Sequence, residues 1–81
     1  MEEIQKEFEE FLKNLIVSYK QNPQYSLRIL SLQEMGERSR SFNRDINIEI
    51  EKMATNNNMR IQVLKIEMSR LIVKYNGMLM H

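Results

Sequence analysis

Apolar residues recur in steps of three and four along most of this 81-residue chain, and that spacing belongs to helices. Ile4, Phe8, Phe11, Leu12, Leu15, Ile16 and Tyr19 form one broad stripe between residues 2 and 20. Glu2, Glu3 and Glu7 sit near the positive end of the helix dipole, and Lys20 near its negative end. Glu2 with Lys6, and Glu9 with Lys13, are i, i+4 pairs in the favourable order. The pattern predicts a helix over about 2–20.

Pro23 cannot continue that helix, yet proline at a first helical position after asparagine is a start signal. Asn22 is therefore expected to cap a second helix, with a tight turn folding the two into an antiparallel pair. Leu32, Met35, Ser39, Phe42, Ile46 and Met53 keep a heptad-like phase, which predicts a second helix over about 23–54. A hinge near Gly36 is expected, since glycine costs about 1 kcal/mol of helix propensity relative to alanine. Residues 46–51 and 59–63 also alternate in hydrophobicity, so a β-hairpin across Asn56-Asn57-Asn58 competes with helix; helix is the favoured reading.

Ile61, Leu64, Met68, Leu71, Tyr75 and Met78 sustain a heptad and predict a last helix over about 59–77, with Gly77 near its C-terminal cap. One long helix through Asn57 is the alternative, and three consecutive poor helix formers favour the break. The fold expected is all-α, a single domain over residues 1–81, with two or three helices in an antiparallel hairpin or small bundle. A dimer is expected, because a chain this short without cysteine has no staple and buries a modest share of its surface.

Composition narrows the function classes. Hydrophobic residues make up 42% and charged residues 28%, which excludes a wholly disordered chain. A net charge of +1 gives no global pull towards nucleic acid or anionic membrane. No apolar run reaches the roughly 18 residues of a membrane-spanning helix, and the acidic start Met1-Glu2-Glu3-Ile4 is the reverse of a signal peptide. A cytoplasmic protein is expected. Abundant Ile, Asn, Lys and Met against a single alanine, Ala54, suggest an AT-rich gene of phage or mobile-element type.

Residues that do chemistry are scarce. There is no cysteine, and His81 at the chain end is the only histidine, better read as a solvated terminus than as a catalytic base. Glu3, Glu7 and Glu10 fall near one side of the first helix, but a bundle metal site also wants Glu-x-x-His pairs, so a solvated acidic face is favoured. Gly36 and Gly77 stand alone and make no phosphate loop. No enzyme activity, cofactor or metal is expected. Met35, Met53 and Met68 read as core filling, with Met78 and Met80 at the exposed end.

Two constellations point to macromolecular binding. Val63, Ile66 and Val73 form a second apolar set beside the heptad of the last helix, and a helix apolar on two sides must be covered on both. They are the expected partner or dimer interface, the commonest assembly being a closed homodimer. Arg38, Arg40 and Arg44 around Phe42, helped by Arg60, Arg70 and Lys74, form the alternative, a nucleic-acid contact. Glu34, Glu37 and Asp45 cancel much of that field. Lys65, Arg70 and Lys74 among apolar residues give a weaker reading, a peripheral membrane helix. The function expected is therefore a non-enzymatic protein-binding module (an adaptor, inhibitor or small chaperone) acting through apolar helix faces. A nucleic-acid-binding helical dimer is the alternative.

Overall fold

The computed structural model describes residues 1–23 and 30–79. Four helices and no strand occur among the described residues: α1 (Glu2–Gln21), α2 (Leu32–Asn56), α3 (Ile61–Glu67) and α4 (Ser69–Leu79). The all-α expectation holds, and residues 46–50 lie inside α2, which removes the hairpin. The count differs from the two or three helices expected, because the last predicted helix is split in two.

α1 ends at Asn22, whose extended backbone (φ −64°, ψ 121°) is the conformation that a following proline favours. Pro23 itself is helical, and residues 24–29, over which a helix from there would run, lie outside the described residues. The long helix itself begins later than expected, at Leu32, because Leu30 and Ser31 are not helical. Ser31 is its cap. The Ser31 Oγ accepts from the Glu34 amide at 3.2 Å, and Glu34 Oε1 accepts from the Ser31 amide at 3.1 Å, a reciprocal capping box. From there α2 runs unbroken through Gly36, so the expected hinge is absent.

The asparagine run closes α2. Asn58 adopts the left-handed region (φ 53°), which asparagine tolerates better than most side chains. Met59 N–H then donates to Ala54 O at 2.8 Å and Asn58 N–H to Thr55 O at 3.3 Å, the paired bonds of a Schellman ending. The Asn57 side chain adds a bond to Met53 O at 2.8 Å. Carbonyls that a helix end leaves unsatisfied are thus consumed within the turn.

The predicted helix over 59–77 is interrupted at Met68 (φ −94°, ψ 1°). Next to it the Ser69 hydroxyl donates to the Ile66 carbonyl at 2.9 Å, and such a side-chain bond competes with the backbone ladder and bends helices. The bend keeps the helical phase: Leu64, Met68, Tyr75 and Leu79 all turn inward. Gly77 lies within the last turn of α4, which runs to Leu79.

The three long segments pack as an up-down-up bundle. Tyr19 near the end of α1 meets Ser41 and Asp45 of α2. Glu2, Gln5 and Lys6 share a cleft with Glu67, Arg70 and Leu71, and Glu9 further on meets Lys74 and Tyr75, so α1 runs parallel to the last segment. Phe8, Leu12 and Ile16 project from α1 at every fourth residue into a core with Phe42, Ile46, Ile50, Met53 and Ala54 of α2. Leu64, Met68, Tyr75 and Leu79 complete it. Burial of each large side chain contributes about 1.5–3 kcal/mol.

Candidate interaction face

Three polar clasps tie the helices together, and two of them hold α4. In the first, between α1 and α2, the Tyr19 hydroxyl donates to Asp45 Oδ2 at 2.7 Å and lies 2.6 Å from Ser41 Oγ. Its ring stands edge-on to Phe42, with centroids 5.4 Å apart. Burial, together with the Asp45 carboxylate, pushes the Tyr19 hydroxyl above its ordinary pKa, while Ser41 pulls it the other way. In the second clasp the Tyr75 hydroxyl donates to Glu9 Oε2 at 3.0 Å, and Lys74 Nζ reaches the same oxygen at 3.4 Å. The Tyr75 hydroxyl bond, with Lys74 beside it, holds the Glu9 carboxyl below the usual range. Burial and then Glu9 raise Tyr75 in turn.

The third clasp joins α2 to α4. Asn43 and Asn76 exchange amide hydrogen bonds, Nδ2 to Oδ1 in both directions at 3.1 Å. Each amide also donates to the carbonyl four residues earlier in its own helix, Ser39 O and Ile72 O, both at 2.9 Å. The pair satisfies both amides only at one axial offset of the two helices, so it fixes their register.

With its inner side committed in this way, the segment from Ile61 to Leu79 shows a second side to solvent. Val63, Ile66 and Val73 are 44%, 72% and 71% exposed. Ile66 and Val73 are seven residues apart and equally exposed, which shows that the face continues across the bend at Met68. Gly77 lies on the same face one helical step of four beyond Val73, and a Cβ placed there would meet nothing within 4 Å. Glu67 and Lys74 flank the stripe on the side nearer α1, and Gln62 and Ser69 on the other; all four are exposed. Between α1 and this segment runs an open cleft of about 310 Å³, lined by Glu2, Gln5, Lys6, Glu9, Glu67, Arg70 and Leu71. Its charges are mixed in sign, so it selects neither cations nor anions.

The arginine constellation is divided between two sides of α2. Phe42 is fully buried beneath Tyr19, so no base can stack on it. Arg38 is half-buried and two residues from Arg40, hence on a different side of α2. Arg40 and Arg44 share an exposed face, where Arg44 already reaches Asp45 at 3.7 Å and Ser41 at 3.4 Å. Glu3, Glu7 and Glu10 are exposed, and no group of three metal-ligating side chains comes together among the described residues. Of the methionines, Met53 and Met68 are buried, Met35 is half-buried and Met78 is exposed. Met80 and His81 lie outside the described residues. No described helix is long and apolar enough to cross a membrane.

Sequence reasoning found Val63, Ile66 and Val73 and missed their companions. Gly77 follows Val73 at a step of four on the same side, and Glu67 and Lys74 are each the next residue after Ile66 and Val73, so helical spacing alone places all three at the stripe. Compared with protein-family models, with curated proteins and with solved structures, the chain matches none.

Proposed function

We propose that this protein is a non-enzymatic helical interaction module whose working surface is the outward face of α3 and α4. One observation carries the reading: Ile66 and Val73 stand about equally exposed on the back of a segment whose front supplies Leu64, Met68, Tyr75 and Leu79 to the core. Isolated exposed apolar residues such as Val17, Leu32 and Ile48 are ordinary on a protein surface. A set repeated at heptad spacing along one helix face is the pattern by which helices dock on partners. An adaptor, an inhibitor and a small chaperone all act through such a face. Nucleic-acid binding has less support, since the one aromatic residue within its arginine cluster is in the core.

A photo-crosslinking residue placed at Ile66, and separately at Ile48 as a control, tests this in cells of the native host. Protein adducts are expected at position 66 and not at 48. Equal labelling at both, or adducts to nucleic acid from a probe at Arg40, would reject the reading.

A further inference from the structure

Resting on that reading, we propose that the occupant of the face is a second copy of this chain, packed antiparallel along α3 and α4. Val63, Ile66, Arg70, Val73 and Gly77 follow one another in steps of three, four, three and four, the seam of a two-stranded coiled coil. Self-pairing in a parallel sense sets each seam residue against its own copy. Arg70 would meet Arg70, two like charges in the seam, and Gly77 would meet Gly77, leaving a void. Antiparallel pairing removes both defects.

In an antiparallel pair centred between Leu71 and Ile72, Ile66 lies opposite Gly77 of the second copy, and Val73 opposite Arg70. The open space at Gly77 receives the isoleucine, a large side chain against an absent one. The aliphatic stem of Arg70 covers the valine while its head can turn to the cleft it lines with Glu2, Glu9 and Glu67. At the same register Glu67 falls beside Lys74 of the other copy, and the symmetry repeats this attraction. Sliding the pair by one heptad the other way sets Glu67 against Glu67, and Lys74 against Arg60, so charge selects a single register.

Trans-complementation of the charges tests the proposal in the full chain. Wild type is expected to sediment as a dimer at micromolar concentration. Glu67→Lys and Lys74→Glu should each weaken association about tenfold, because each turns two attractions into two repulsions. Mixing the two variants in equal amounts should restore association, since every altered charge then meets its opposite. Lys74→Glu also removes the contact with Glu9, but a damaged fold would not be repaired by mixing. A monomeric wild type, variants that dimerise unaltered, or a mixture no stronger than its components would each overturn the proposal. If wild type is monomeric yet the probe at Ile66 captures a different protein, the second copy is wrong and the interaction face stands; a probe that captures no protein at all removes both.

Discussion

Phe8→Ala is expected to destabilise the protein by about 3–5 kcal/mol, a large share of what a chain this small can possess. Phe8 is fully buried in the core, so truncation removes a large apolar side chain and leaves a cavity. Phe11, three residues on, stacks on Phe8 with centroids 6.1 Å apart but is only half-buried. Phe11→Ala should therefore cost less, about 1–2 kcal/mol. The sequence treats the two as equal members of a stripe; the structure ranks them. Urea denaturation of both variants checks the order, and a larger loss at Phe11 would mean that α1 is rotated about its axis.

The Asn43–Asn76 pair should show strong coupling. Changing either asparagine to leucine leaves the other amide without its partner, and each single replacement should cost about 1–2 kcal/mol. With both replaced no unsatisfied amide remains, and two leucines can pack across the same half-buried contact. The double variant should therefore lose clearly less than the sum of the singles. A double-mutant cycle in denaturant gives the coupling directly. Additive losses would show that the two amides act independently and do not set the register of α2 on α4.

Much of this fold is legible in the sequence, because helical periodicity reports which side of each helix is buried. The stripe of α1 is found residue by residue: Phe8, Leu12 and Ile16 at its centre, with Ile4, Phe11, Leu15 and Tyr19 at its edges. The start of α2 is equally legible in the sequence. Ser31-Leu32-Gln33-Glu34 spells a capping box, which marks the boundary at which the long helix begins. Gly36 illustrates the limit of propensity, since a cost near 1 kcal/mol is outweighed once Phe42, Ile46 and Ile50 anchor the same helix. The bend at Met68 carries a weaker signal. It depends on a serine hydroxyl turning back to a carbonyl, which a spacing argument does not reach.

The outward face was legible in its apolar members, because Val63, Ile66 and Val73 cannot share a side with Leu64 and Tyr75. Its glycine and its flanking charges acquire meaning only when a second helix is laid along the stripe. For the same reason Arg38, Arg40 and Arg44 look like one cluster in the sequence and are divided between two sides of α2 in the structure.

Ile66→Glu, compared with wild type by sedimentation and circular dichroism over a range of concentrations, tests the division of α3 and α4 into a core side and a working side. Ile66 is 72% exposed and no part of its role lies in the core, so the variant should remain helical, fold as a monomer and lose association. A variant that unfolds would place Ile66 in the core, and a variant that associates like wild type would leave the face without a role.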